Sequence, residues 1–346
     1  MTWLRLHNPL IDWQTGLLSF ARCPLTCKKH LSAEEQLAHL LDHTSTATQY
    51  SEGEHLSEVY HSLNSKEHAA TKWAMEDFKN KKVLTLEDIR QGPFASFIDV
   101  FEEQNYQVLP PHREWDHKID LVPDWKDKKW RQQIYPLSWA EQKELDAFLK
   151  ENLANGRIRS SESSLTSPVF FIKKKDGKLQ MVIDYHKLNE LTVKNVYPLP
   201  QIDELIQKWK GCRFFSALDI RSGYYNICMH EQDVWKTAFI TNQGLFESLV
   251  MTFGLTNTPA TFQMMMNSIF IVYICRGDAN AFIDNVGIGT TSDPSGKLSD
   301  EEFHIQVCRE ILQVFRKHHL SLKPEKCLFL QKEIPYLGHI ISGEGI

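Results

Sequence analysis

The chain has 346 residues, of which 42% are hydrophobic and 24% are charged, a composition typical of a soluble globular protein. No apolar run approaches the roughly 18–20 residues of a membrane span, and the N-terminus has no apolar signal-peptide core. We therefore expect no membrane partner and favour a cytoplasmic or other intracellular location, with the compartment left open. The seven scattered cysteines, an odd number, suggest free thiols in a reducing compartment.

The charge is unevenly distributed along the chain. The formal net charge is −5, yet residues 157–213 carry eleven Lys and Arg against six Asp and Glu. Residues 31–105 show the opposite balance, with six basic and fourteen acidic residues. A basic segment within an acidic chain is compatible with phosphate binding, and equally with a solvated charged face.

In chain order, the sequence predicts a mixture of helices and antiparallel hairpins. A helix is predicted over residues 138–155, where Ser138 is a candidate N-cap and Glu141 follows three positions later. Apolar runs at 167–172 and 179–185 flank a basic turn and predict a hairpin. The later predictions are helix-spaced residues at 202–209, a strand at 214–219, a helix over 259–275, a hairpin over 281–289 and an amphipathic helix over 300–319. This mixture indicates an α+β fold.

Two of these predicted strands end in an acidic residue. Asp219 closes the run Phe214–Asp219, and Asp284 follows the apolar run Ala281–Ile283, 65 residues later. Two carboxylates at strand ends are what a protein needs to hold a pair of Mg²⁺ ions for phosphoryl transfer. The alternative for Asp219 is a carboxylate that only caps a turn.

Several motifs follow one another in a fixed order. They are Phe170–Lys178, Val182–Asn189, Leu191–Pro200, Phe215–Tyr224, Met251–Gln263, Phe282–Asn285 and Tyr336–Ser342. Together they resemble the reverse transcriptase of gypsy-type LTR retrotransposons, in which Phe282–Asn285 occupies the place of the Tyr-x-Asp-Asp motif. The segments Trp3-Leu4 and His7–Trp13 are similar to the tail of the protease domain of the same elements.

The resemblance implies a right-hand polymerase fold with fingers and palm, and with the thumb largely missing. It implies four segments along the chain. They are a remnant of the protease C-terminus at 1–30, an acidic linker at 31–93, a connector and the start of the reverse transcriptase region at 94–156, and the fingers and palm at 157–346, ending at the thumb base.

The resemblance also implies the functional residues. Asp219 and Asp284 correspond to the catalytic acids, and Asp219, Ile220 and Asp284 to the metal ligands. The implied nucleotide-binding residues are Lys174, Ile220, Tyr224, Phe253 and Gly254. The implied cofactor is Mg²⁺, for which Mn²⁺ can substitute, and the implied partners are an RNA or DNA template with its primer and deoxynucleoside triphosphates. The oligomeric state stays open. The residues alone leave open that Lys174 is an exposed turn lysine and that Tyr224 is a core tyrosine.

Two positions depart from the family pattern. Gln180 replaces an arginine on the returning strand of the hairpin, and Asn285 replaces the last acid of the Tyr-x-Asp-Asp motif. An amide binds Mg²⁺ more weakly than a carboxylate, so we predict activity reduced at least about tenfold, equivalent to some 1.4 kcal/mol of barrier. The sequence therefore supports two hypotheses. One is an RNA-directed DNA polymerase domain, and the other is a catalytically impaired or dead relic that retains at most nucleic-acid binding.

Overall fold

The computed structural model describes residues 83–102, 109–128, 134–173 and 177–345, together with the strand backbones of 9–12 and 17–20. The chain divides into two compact units, Met1–His68 and Ala69–Ile346. In the first unit, strand β1 (Pro9–Asp12) pairs antiparallel with β2 (Leu17–Phe20). Lys174 and most of the predicted linker at 31–93 lie outside the described residues.

The second unit mixes helices with antiparallel hairpins, which confirms the predicted α+β class. Its helices are α1 (Leu86–Gln91), α2 (Ile98–Phe101), α3 (Trp139–Ala154), α4 (His186–Leu191), α5 (Ile202–Gln207), α6 (Thr258–Arg276) and α7 (Asp300–Lys317). Its strands are β3 (Ile158–Ser160), β4 (Ser167–Lys173), β5 (Leu179–Ile183), β6 (Phe214–Asp219), β7 (Phe239–Thr241), β8 (Gly244–Ser248), β9 (Ala279–Phe282), β10 (Asn285–Thr290), β11 (Leu328–Gln331), β12 (Glu333–Tyr336) and β13 (His339–Ser342). Within the described part of the chain, no helix is long and apolar enough to cross a bilayer.

Strands β6, β9, β10 and β11 form a four-stranded sheet in the order β11-β6-β10-β9, with every neighbouring pair antiparallel. Helix α6 contacts β9, and α7 contacts β6 and β10. Side chains alternate between the two faces of a strand, so Ile288 and Thr290 share one face of β10 while Gly287 and Gly289 share the other. The glycine face receives the Trp209 indole, because a Cβ at Gly287 would lie 2.1 Å from Trp209 Cη2.

A second sheet of five strands has the order β3-β8-β7-β4-β5. Its β4–β5 hairpin is the one predicted from the basic turn, and Gln180 of β5 pairs with Ile172 of β4. The sheet is mixed, since β4 runs parallel to β7. Helix α3 contacts β3 and β5, so it packs against this sheet.

The predicted helices at 138–155 and 300–319 are confirmed with nearly the expected limits. Helix α3 begins with a capping box between Ser138 and Glu141, and α7 begins with the same arrangement between Ser299 and Glu302. In each box the serine hydroxyl accepts from the backbone N–H of the glutamate, and the glutamate carboxylate accepts from the serine N–H. These local bonds satisfy N–H groups that the first helical turn leaves unpaired.

Candidate active site

The four-stranded sheet brings the two predicted acids to one end. Asp219 is the last residue of β6, and it pairs directly with Asn285, the first residue of β10. Asp284 lies in the turn that leads from β9 into β10, immediately before this pair. The backbone N–H of Ile220 donates to the carbonyl oxygen of Asp284 at 3.0 Å, which ties the two strand ends together. Asp219, Ile220 and Asp284 are therefore neighbours in space.

The turn that presents Asp284 has an unusual backbone. Ile283 has a φ of +51°, a left-handed conformation that a β-branched residue rarely adopts. It is held by Gln263 of α6, whose side-chain oxygen accepts from the Ile283 N–H at 2.8 Å and whose amide donates to the Ala281 carbonyl at 2.9 Å. Gln263 is fully buried. Backbone strain of this kind concentrates at functional sites, where the surrounding structure maintains it.

Two lysines face Asp219. Lys323 Nζ lies 3.4 Å from Asp219 Oδ1, and Lys326 Nζ lies 3.3 Å from Oδ2. The backbone N–H of Lys323 also donates to the Asp219 carbonyl at 3.0 Å. The contact at Oδ1 is an ion pair only, since this buried oxygen has no hydrogen-bond partner among the described residues. A buried carboxylate oxygen without a hydrogen bond is an available ligand for a cation.

The charge environment of Asp284 also favours cation binding. Burial raises the pKa of its carboxyl group above the ordinary value, and the negative charge of Asp219 raises it further. Lys323 and Lys326 offset only part of this rise. Two partly buried carboxylates that repel each other are stabilised by a cation placed between them. Oxygen ligands from carboxylates and a backbone carbonyl suit a hard divalent ion such as Mg²⁺.

Asn285 contributes an amide where the family pattern has an acid. Its Nδ2 donates to Asp284 Oδ1 at 3.2 Å, so the side chain restrains the neighbouring carboxylate. The backbone carbonyl of Asn285 accepts a hydrogen bond from the hydroxyl of Tyr336 in β12 at 3.4 Å. The described site therefore holds two carboxylates together with one amide that uses part of the hydrogen-bonding capacity of Asp284.

An aromatic group lies beside the acids. Tyr224 belongs to the 3₁₀ turn Gly223–Asn226, and its ring centroid is 4.7 Å from that of Phe253. Gly223 brings this turn close to the acids, because a Cβ there would lie 3.2 Å from both Asp284 Cβ and Phe262 Cζ. Gly254 follows Phe253 in the chain. Its backbone carbonyl accepts a hydrogen bond from Asn189 Nδ2 at 2.7 Å.

Gln180 reaches the same neighbourhood from the five-stranded sheet. It lines a small cavity of about 50 Å³ together with Tyr225, Phe253 and the buried Arg157. Phe253 lines this cavity and also contacts Tyr224, so it connects Gln180 with the aromatic residues beside the acids. Sequence reasoning assigned no role to Gln263, Lys323 or Lys326, and the one available signal was that Gln263 is a polar residue in an apolar helical stretch.

Comparison with known proteins agrees with this arrangement. Residues 172–341 match the family model described as "Reverse transcriptase (RNA-dependent DNA polymerase)". The chain is 36% identical over 217 residues to the "Retrovirus-related Pol polyprotein from transposon 297" of Drosophila melanogaster, a match that covers 61% of this chain and 20% of the relative. It is 31% identical over 255 residues to the "Transposon Tf2-7 polyprotein" of Schizosaccharomyces pombe, with 73% and 18% covered. The chain thus spans about a fifth of the length of these curated relatives.

Among solved structures, the fold is similar to that of a foamy viral protease-reverse transcriptase in complex with an RNA/DNA hybrid. The TM-score is 0.60 at 15% identity, and the match covers 80% of this chain and 34% of the viral chain. The predicted right-hand arrangement of fingers and palm agrees with this likeness.

Proposed function

Because this chain belongs to the reverse transcriptase family, we propose that residues 157–346 catalyse RNA-directed DNA synthesis at the site built around Asp219 and Asp284. In this reaction the primer 3′-oxygen attacks the α-phosphorus of a deoxynucleoside triphosphate. The new O3′–P bond forms, the bond from that phosphorus to the bridging oxygen of the β-phosphate breaks, and pyrophosphate leaves. The 3′-hydroxyl proton is lost to solvent or to a basic group.

The observation that carries the proposal is the convergence of the two carboxylates, one with a raised pKa and the other with a buried oxygen that no described residue hydrogen-bonds. Asp219 and Asp284 would hold Mg²⁺, or Mn²⁺ in its place. Ile220 would contribute its backbone carbonyl, since its side chain is fully buried. When bound, a pair of such ions activates the 3′-hydroxyl and neutralises the leaving pyrophosphate. Cation binding at Asp219 would compete with Lys323 and Lys326, which already pair with it.

The remaining predicted residues would bind the incoming nucleotide. Tyr224 would contact its sugar, Phe253 and Gly254 would lie near its base, and Lys174 would contact its phosphates. A bulky ring at Tyr224 would clash with a ribose 2′-hydroxyl and so favour deoxynucleotides. The template and primer partners are supported by the RNA/DNA hybrid named for the structurally similar foamy viral enzyme. Gln180 lacks the charge and the paired phosphate donors that an arginine would offer.

A second candidate function is that of a relic with little or no catalysis that still binds nucleic acid. One specific observation favours it: Asn285 Nδ2 donates to Asp284 Oδ1, where a carboxylate would instead add a negative charge. The two candidates differ in what Asn285→Asp should do. For the polymerase, this substitution raises an activity that is already measurable, by at least about tenfold.

Primer extension separates the two candidates. The wild-type protein, Asn285→Asp and Asp219→Ala are compared on poly(rA) primed with oligo(dT), first with Mg²⁺ and then with Mn²⁺. The polymerase proposal predicts measurable extension by wild type, more by Asn285→Asp and none by Asp219→Ala. If wild type equals Asp219→Ala while Asn285→Asp gains activity, this chain is the relic. If all three are inactive, the site does not support catalysis, and binding to the primed template tests the remaining function.

A further inference from the structure

The ring of Tyr224 contacts two phenylalanines that differ in their surroundings. Phe262 of α6 is fully buried and meets Tyr224 edge-on, with ring centroids 5.6 Å apart and planes at 77°. Phe253 contacts Tyr224 more closely, at 4.7 Å and 59°, and is 51% exposed. Tilted ring pairs at these separations attract each other beyond the area they bury. The tyrosine ring is thus held by one residue of the core and by one residue that is half exposed.

The loop that carries Phe253 is held in place by hydrogen bonds. Asn189 of α4 donates through Nδ2 to the Gly254 carbonyl at 2.7 Å and accepts through Oδ1 from the Thr256 N–H at 2.9 Å. These two bonds fix the backbone directly after Phe253. The Phe253 ring therefore stands on a fixed support. It contacts Tyr224 and, more distantly at 6.2 Å, Tyr225, and about half of its surface is exposed.

We propose that Phe253 is a positioning residue that holds the Tyr224 ring and thereby sets the discrimination between deoxyribonucleoside and ribonucleoside triphosphates. This inference rests on the proposed function of the site. The Tyr224 ring can exclude a 2′-hydroxyl only as long as its side chain is held in one orientation. Without Phe253, Tyr224 keeps its contact with the buried Phe262 but loses the closer of these two ring contacts, which gives the tyrosine ring more room to turn and admit the extra oxygen.

Nucleotide binding tests this without requiring catalysis. The protein is mixed with Mg²⁺ and a primer–template whose primer ends in a dideoxynucleotide, so that no bond can form. The dissociation constants of dGTP and GTP, which differ only at the 2′ position, are measured opposite a template cytosine. In Phe253→Leu we expect the ratio of the GTP constant to the dGTP constant to fall about threefold to tenfold, the range typical of one aromatic pair. Phe253→Tyr keeps an aromatic ring and should keep the wild-type ratio.

Two controls separate a positioning role from a general loss of structure. In a Tyr224→Ala background, Phe253→Leu should cause no further change in the ratio, because its effect passes through the tyrosine. Phe329→Leu removes a different aromatic contact, with Phe94 at 4.5 Å, and should leave the ratio unchanged. An unchanged ratio in Phe253→Leu, or an equal change with and without Tyr224, would overturn the inference. If the wild-type protein shows no detectable binding of dGTP, the proposed function itself fails and the inference fails with it.

Discussion

Asp219 and Asp284 are neighbours, but their local environments differ. Asp219 is paired with Lys323 and Lys326, so its negative charge is partly balanced. Asp284 has no such ion pair among the described residues, and burial together with the charge of Asp219 raises the pKa of its carboxyl group. A destabilised carboxylate beside a second carboxylate lowers the folding stability, a cost that proteins often accept at active sites. The two aspartates should therefore respond differently to neutralisation.

Asp284→Asn is expected to stabilise the cation-free protein at neutral pH. The amide has nearly the shape of the carboxyl group but removes the buried charge and with it the repulsion from Asp219. Because Asp284 is only partly shielded from water, we expect a gain on the order of 0.5–1 kcal/mol in the free energy of unfolding. Since the folded-state pKa is raised, wild type takes up a proton as the pH falls towards the ordinary range of aspartate, and the difference between the two proteins disappears there. Urea denaturation with EDTA at pH 7.5 and at pH 4 measures both effects.

Asp219→Asn is the matched control for this experiment. It makes the same chemical change at the neighbouring position but removes the ion pairs with the two lysines, so it should not stabilise the protein at pH 7.5. Equal stabilisation by both substitutions would contradict the asymmetry that the structure shows. Loss of stability in Asp284→Asn would mean that burial and repulsion from Asp219 do not destabilise the charged carboxylate at this position.

At the scale of elements, helix α7 is joined to the four-stranded sheet by a buried polar cluster. The side chain of His304 lies between Ser216 of β6 and Thr290 of β10, with both hydroxyl oxygens 2.8 Å from its ring nitrogens. A neutral imidazole donates from one nitrogen and accepts at the other, so two hydroxyl groups satisfy it. Burial lowers the pKa of His304 to about 4 from the ordinary 6.5. Cys308 also contacts this cluster, since its Sγ lies 3.5 Å from Ser216 Oγ, and burial raises the pKa of its thiol to about 12.

The buried histidine makes the packing of α7 sensitive to acid. Its folded-state pKa is depressed, so the unfolded chain binds the proton more readily, and stability is lost as the pH falls below about 6.5 and continues to be lost towards about 4. Between pH 7.5 and pH 5 we expect His304 to account for a loss of about 2 kcal/mol in the free energy of unfolding. His304→Gln should remove this share and leave the part due to His117, whose pKa burial also lowers to about 4. Urea denaturation of both proteins at the two pH values tests this, and an unchanged pH dependence in His304→Gln would contradict it.

The same elements show what the sequence could predict. Helices α3 and α7 and the hairpin around Asp284 have nearly their expected limits, because caps and apolar periodicity are local signals. The tertiary part of the site was not predictable in this way. Lys323 and Lys326 contact Asp219 although they follow it by more than about 100 residues in the sequence. Gln263 contacts Ile283 across 20 residues. No local pattern encodes such contacts.

At the scale of the whole molecule, the chain divides at His68 and Ala69. The sequence places eight acidic and five basic residues in 1–68, so residues 69–346 carry a formal net charge of only −2. Every residue that we propose for the site belongs by its number to the second unit. Compact units of this kind usually contain the core that stabilises them. If the second unit binds nucleic acid as proposed, we expect the first unit to affect that binding mainly through its negative charge.

We expect a protein that consists of residues 69–346 to fold by itself and to bind primer–template at least as tightly as the full chain. Its melting temperature should lie within about 2 °C of the corresponding transition of the full chain, which for a unit of this size corresponds to about 1 kcal/mol. At low ionic strength its affinity should be equal or higher, since less negative charge opposes the phosphates, and the difference should shrink as salt screens it. Differential scanning calorimetry and binding titrations at 50 mM and 200 mM salt measure the two quantities. A fall of more than about 5 °C would show that residues 1–68 stabilise the second unit directly, and weaker binding that persists at high salt would show that they contact the nucleic acid.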